Sequence, residues 1–184
     1  MNVLVNKLPT KINVDGQIYE INADFRNCIK IMLAYEDDSL TQMEKHLIML
    51  ELLYKEVPPN LEQAVEKGVK FLNCGGEISK EESSRLYSFK KDANYIYSAV
   101  SKAGGIDLET VDFFHWWKFC FYFLEISPDS TIANIMNLRQ KAQSGKLTKE
   151  EKTEYIKARK ILDLDYEEEP EESKFMQIFN SGGD

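Results

Sequence analysis

The chain has 184 residues, 43% of them hydrophobic, with 31 Asp and Glu against 23 Lys and Arg and a formal net charge of −8. That size and apolar content suit one folded domain, while the acidic balance argues against a protein that grips phosphate backbones, which needs clustered cations. Three cysteines at positions 28, 74 and 120 have no zinc spacing and leave an odd thiol in any pairing, so they read as buried small hydrophobes in a reducing compartment. A secretory leader pattern and an apolar run of membrane-spanning length are both missing from the expectation.

Taken in chain order, the first element is a hairpin. Lys11–Val14 and Gln17–Ile21 alternate around Asp15-Gly16, a pair suited to the left-handed angles of a type I′ turn. Ile12, Val14, Ile18 and Ile21 are expected to form its apolar face, and Val3, Leu4 and Val5 to add an edge strand before Pro9. From Asp24 the period becomes helical, with Phe25, Cys28, Ile29 and Met32 on one stripe behind an Asp24 cap. Ser39 or Thr41 caps a second helix, each with Gln42 or Glu44 three residues on; Met43, Leu47, Leu50 and Tyr54 line one side of it and Ile48 and Leu52 the other, which predicts cover from two sides.

Pro58-Pro59 stops that helix, and Asn60 with Gln63 opens a third through Leu61, Val65, Phe71 and Leu72, closed by Gly75-Gly76. Residues 77–91 are polar and read as a loop or a loosely packed turn. Asp92 caps a fourth helix with Ile96, Ala99, Val100 and Ala103 at core spacing, ended by Gly104-Gly105. Residues 109–125 are expected as a fifth helix, 131–139 as a short sixth, and 148–162 as a seventh beginning at the box Thr148 to Glu151. Seven acids follow within residues 163–172, which repel one another and bury nothing; residues 163–184 are therefore expected to be a disordered acidic tail, with Phe175, Met176, Ile178 and Phe179 as a small apolar cluster. The fold class is thus mainly α: a multi-helix bundle over residues 1–162 with an N-terminal hairpin at 11–21, then the tail.

The most unusual segment is Phe113 to Phe123, in which eight of eleven residues are Phe, Trp or Tyr. On a helical projection Phe113, Trp117, Cys120, Phe121 and Leu124 share a broad face, flanked by Trp116 and Phe123. His115, Lys118, Tyr122 and Glu125 fall opposite. Such a helix is either the centre of the core or partly exposed as an interface anchored by its aromatics, and self-association accommodates both. Its stacking on nucleic-acid bases is disfavoured because no basic groove accompanies it.

Chemistry has little purchase here. The chain has two histidines, His46 and His115. Asp112, His115, Lys118 and Tyr122 contain a base but no paired nucleophile and no ligand cluster, so neither a catalytic site nor a metal or cofactor site is expected. Phosphate loops, dinucleotide fingerprints, zinc-protease and calcium motifs are not found. Lys141, Lys146, Lys149, Lys152, Lys157, Arg159 and Lys160, interleaved with Glu150, Glu151 and Glu154, read as a solvated face with i,i+4 pairing. A second reading of that face is as a seat for the acidic tail.

The sequence carries a resemblance in Leu8-Pro9-Thr10, Ile21-Asn22-Ala23-Asp24-Phe25-Arg26, Phe71-Leu72-Asn73-Cys74-Gly75, Asp92 to Ala99, Gly105-Ile106-Asp107-Leu108, Ile135-Met136 and Arg139, and most sharply in His115-Trp116-Trp117-Lys118-Phe119. In these segments, spread over about residues 4–162, it resembles a family of small tail-region proteins of siphophages and prophages of Gram-positive bacteria named after phage gene product fifteen. The segment Ala93-Asn94-Tyr95-Ile96-Tyr97 has Asn where the family usually has Asp, and the acidic tail lies outside the pattern. The resemblance implies a tail assembly chaperone in the host cytoplasm, which keeps the tape-measure protein or other tail proteins soluble, with no nucleic-acid or membrane partner. On that footing Phe113, His115, Trp116, Trp117, Lys118, Phe121 and Tyr122 are the candidate partner-binding residues. A structural part of the tail or baseplate, or an acidic inhibitor of a host protein, are the alternatives.

Overall fold

A computed structural model describes residues 2–76 and 85–164 of the protein. The acidic tail from residue 165, including Phe175 to Phe179, and the part of the expected loop from 77 to 84 lie outside the described residues. Among those described, one hairpin, β1 (Lys11–Val14) and β2 (Gln17–Glu20), precedes eight helices: α1 (Phe25–Glu36), α2 (Gln42–Leu53), α3 (Leu61–Leu72), α4 (Ala93–Gly104), α5 (Trp116–Leu124), α6 (Thr131–Gln143), α7 (Lys149–Lys157) and α8 (Arg159–Leu162). The mainly helical class with an N-terminal hairpin holds. The chain forms two compact units, one reaching Asn134 and one starting at Ile135.

Asp15 and Gly16 both have positive φ, 54° and 83°, as a type I′ turn demands. A two-residue turn pairs Val14 with Gln17 and Ile12 with Tyr19, so an even position on one strand faces an odd one on the other. Val14, Tyr19 and Ile21 are accordingly buried, and Ile18 points away at 65% exposure. The expected Ile12, Val14, Ile18 face is corrected by that parity: Tyr19 takes the place given to Ile18. Val3, Leu4 and Val5 add no strand either. They lie in an exposed turn closed by Val5 N donating to Asn2 O.

Local capping fixes most helix starts. The Asp24 carboxylate accepts from Arg26 N, Thr41 and Glu44 form a reciprocal capping box, and Asn60 accepts from Gln63 N. Helix α1 packs on α2 and α5, α2 on α3, α3 on β1 and α4 on α5. Gly68 permits the α2–α3 approach, since a Cβ there would meet Met49 Sδ at 2.6 Å. The expected two-sided burial of α2 is confined to its second half, where Met49, Leu50 and Leu53 are buried; Met43 and Leu47 are exposed.

Residues 85–91 contradict the loosely packed reading of their stretch. Ser88 and Phe89 are buried, and the Glu36 carboxylate at the end of α1 accepts from Ser88 Oγ (2.6 Å) and Phe89 N (2.8 Å). Asp92, also buried, accepts from Ser88 N at 2.9 Å. An apolar residue amid polar neighbours is thus held by two acids whose oxygens take up backbone donors.

In the second unit α7 begins at the Thr148–Glu151 capping box, as expected. The expected continuous helix to Leu162 breaks at Ala158 and resumes as α8. Arg139 is buried and donates from Nε to Leu162 O (2.8 Å) and from Nη2 to Ile161 O (2.9 Å), satisfying carbonyls that the end of α8 leaves open. On the basic face the expected i,i+4 pairing is seen in Arg159 with Asp163 at 3.0 Å, while Lys141 meets Glu151, ten residues on, at 2.6 Å.

Candidate functional site: the aromatic junction and the cleft beside it

Helix α5 starts at Trp116, seven residues later than the sequence predicts, because His115 is its N-cap. His115 Nδ1 accepts from Trp117 N at 3.0 Å, and Nε2 lies 3.0 Å from Pro9 O. Those two contacts require the neutral ring with its proton on Nε2, donating to the Pro9 carbonyl. Burial pushes the His115 pKa down, the Pro9 contact opposes this, and nearby Lys118 adds to the lowering. The segment before the helix is extended instead. It pairs with residues 23–25 through Phe25 N to Phe114 O (2.8 Å) and Trp116 N to Ala23 O (2.8 Å), and Phe114 N donates to the Asp24 carboxylate at 2.9 Å.

The two tryptophans serve the same junction. Trp116 Nε1 donates to Leu72 O and Trp117 Nε1 to Phe71 O, both at 2.8 Å. Their indoles thereby occupy carbonyls in the last turn of α3, where helical partners run out. Phe119, missing from the projected apolar face, is buried and stacks on Phe25 at 5.3 Å between centroids. Leu124, included in that face, is 78% exposed. The inward face of α5 therefore runs through Trp116, Trp117 and Phe119.

Several of the segments singled out by resemblance meet at this point, though Ile135-Met136 and Arg139 belong to the second unit. Arg26 reaches across to donate from Nη2 to Leu108 O (2.7 Å) and Val111 O (2.8 Å), with its guanidinium 4.7 Å above the Phe25 ring. Residues 9, 21–26, 71–75, 108–111 and 114–119 are thus one hydrogen-bonded junction of hairpin, α1, α3 and α5. Of the candidate partner-binding residues, His115, Trp116 and Trp117 are in the interior, the tryptophans at 5% and 3% exposure for Trp117 and Trp116. Phe121 and Tyr122 are half-buried, Tyr122 stacked on Phe114 at 5.8 Å. Lys118 is exposed and Phe113 stands 54% exposed.

Phe113 also forms part of the wall of an open cleft of about 680 Å³, lined further by Thr10, Glu20, Asn22, Asp24, Asn27 and Lys55. Glu20 is held below the usual carboxylate range by its bond to Lys55 (3.0 Å) and then by Lys11 (3.3 Å). Asn22 and Asn27 both donate to Leu52 O, which fixes their amides. The cleft presents one aromatic ring, two amides fixed by Leu52 O, the carboxylates of Glu20 and Asp24 and the Lys55 ammonium. Sequence reasoning missed it because its lining comes from positions 10, 20–27, 55 and 113, which no local pattern links. Among the described residues no group of three or more His, Cys, Asp or Glu side chains is placed to hold a metal, and no helix is long and apolar enough to cross a membrane.

The family model described as Bacteriophage Gp15 protein matches residues 4–164 of the chain. Neither the curated proteins nor the solved structures provide a match.

Proposed function

The chain belongs to the bacteriophage Gp15 protein family, and from that premise we propose that it acts in phage tail assembly, in the host cytoplasm, as a binding protein for the tape-measure protein or a tail-tube protein. It works by contact and not by catalysis. The observation that carries this reading is the division of the aromatic segment: the tryptophans are spent on the fold, while Phe113 is left exposed at the wall of a peptide-sized cleft. An exposed aromatic beside fixed amides suits an extended or helical client segment, with the ring supplying apolar area and the amides register. The net charge of −8 favours solubility of the complex.

Co-expression with the tape-measure protein of the same phage, followed by size-exclusion chromatography with light scattering, tests it. The proposal expects the client to become soluble and to co-elute at a defined mass, and expects Phe113→Ala to lose the complex while keeping its own melting midpoint. A client that stays insoluble beside well-folded protein defeats the reading. Recovery of the protein from purified particles by mass spectrometry would instead make it a component of the tail.

A further inference from the structure

Charge is sorted along the chain. Residues 135–164 carry eight Lys and Arg against four Asp and Glu, a net +4 in a chain of net −8. Of these cations, Arg139 is buried against the end of α8, Lys141 meets Glu151, and Arg159 meets Asp163. Lys146, Lys149, Lys152 and Lys157 are exposed, and among the described residues no ion pair reaches them. None of the three on α7 has an acid four residues to either side. At about 3.6 residues per turn, Lys149, Lys152, Thr153 and Ile156 fall on one face of α7 with Lys157 at its edge; Glu150, Glu151 and Glu154 turn away from it. Ile156 stands 72% exposed between the lysines, and Ile161 on α8 is 45% exposed. The face is both basic and apolar, which fits a segment that is both acidic and apolar.

We propose that this face of α7 is the seat of the chain's own residues 165–179. Residues 165–172 hold six acids and no base, and Phe175, Met176, Ile178 and Phe179 follow them. The carboxylates meet Lys149, Lys152 and Lys157, and the apolar side chains meet Ile156 and Ile161. Position along the chain favours this occupant over a separate acidic partner. The segment begins just after Leu164, where the chain leaves α8, and Arg139 holds that exit by its bonds to the carbonyls of Ile161 and Leu162. Eight extended residues reach about 26 Å, about twice the length of the nine-residue α7, at about 3.3 Å and 1.5 Å per residue. So short a tether keeps the segment at an effective concentration on the order of millimolar, which a separate chain has to exceed in order to displace it. Exposed charges attract only weakly through salt, so the seat empties as ionic strength rises.

The test uses the full-length protein. A zero-length carbodiimide joins carboxylates to the amines they touch, and digestion with mass spectrometry maps the links. The coupling is run at about 0.01 M and about 1 M salt, where charges are felt over about 30 Å and about 3 Å. The expected product is a monomer linked from Glu167, Glu168, Glu169, Glu171 or Glu172 to Lys149, Lys152 or Lys157, with a yield about five-fold or more lower at high salt. Mixing isotopically light and heavy protein separates links within one chain from links between two copies. A second readout does not need the lysines to react. Asp165→Asn combined with Gln at the five glutamates of 167–172 should move the amide resonances of Lys149, Lys152, Thr153 and Ile156 and leave those of the first unit in place. Links confined to Lys160, which is close by in sequence, or to lysines before residue 135 would overturn the proposal. So would a yield indifferent to salt, or α7 resonances that ignore the loss of the acids. Links found only between light and heavy chains would give the seat to a second copy instead.

Discussion

His115 shows how a single ring can set a helix start and make it sensitive to pH. Its Nδ1 must stay unprotonated to accept from Trp117 N, and its burial lowers its pKa below the ordinary value of 6.5. The unfolded chain therefore binds the proton more readily, and stability rises with pH across this range. The contribution of the neutral ring is fully present above pH 6.5 and is lost as pH falls from there through the depressed folded value. Chemical denaturation at about pH 7 and pH 5.5 should show the protein less stable at the lower pH, and His115→Asn, which keeps an acceptor for the cap, should flatten that difference. An equal slope in the variant would remove His115 from the explanation. Trp117 is read by a graded pair. Trp117→Phe loses the bond to Phe71 O but keeps most of the ring, for about 1–2 kcal/mol, whereas Trp117→Ala empties the site between α3 and α5 for about 3–5 kcal/mol. Equal midpoints for both variants and the parent would mean that the indole is not part of the core.

At the level of elements, the buried guanidinium of Arg139 does for α8 what the indoles do for α3: it supplies donors to terminal carbonyls. A Lys there has one point-like cation in place of a planar fork and cannot reach both Leu162 O and Ile161 O in the same way. Arg139→Lys should therefore weaken the second unit by about 2 kcal/mol, measured as earlier loss of helical signal in urea; a variant that melts like the parent would show the two bonds to be dispensable. What the sequence makes legible follows from the range of the forces. The starts of α1, α2, α3 and α7 are set by Asp24, Thr41 with Glu44, Asn60 with Gln63, and Thr148 with Glu151, each cap within three residues of the backbone N–H it accepts from, so the residues themselves announce them. The start of α5 is set by a histidine cap and by pairing with residues some ninety positions away, and neither leaves a local trace. The same holds at the candidate site. The aromatic density of 113–123 marks the segment, yet only the carbonyls of Phe71 and Leu72 separate the tryptophans that build the fold from the Phe113 that remains outside it.

Across the whole molecule the burial is uneven, and this sets an order of opening. Nearly all the large buried apolar side chains, from Val14 to Ile132, lie in the unit that reaches Asn134, where α1, α3 and α5 also carry the ring stacks and the indole bonds. In the second unit α7 has no buried residue, Ile156 and Ile161 are exposed, and α8 is a single turn ending at the buried Leu162. A segment with few buried apolar contacts opens at a small fraction of the global free energy, because little surface has to be returned to water. Native-state hydrogen exchange should therefore find the amides of α7 and α8 exchanging first, with protection at least about ten-fold below that of α3 and α5. The slowest amides should be those of Cys28, Phe119 and their neighbours around the aromatic junction, exchanging only with global unfolding. Uniform protection from α1 to α8 would instead mean that the two units unfold as one cooperative body, and the stability of α7 would then need a source other than its own burial.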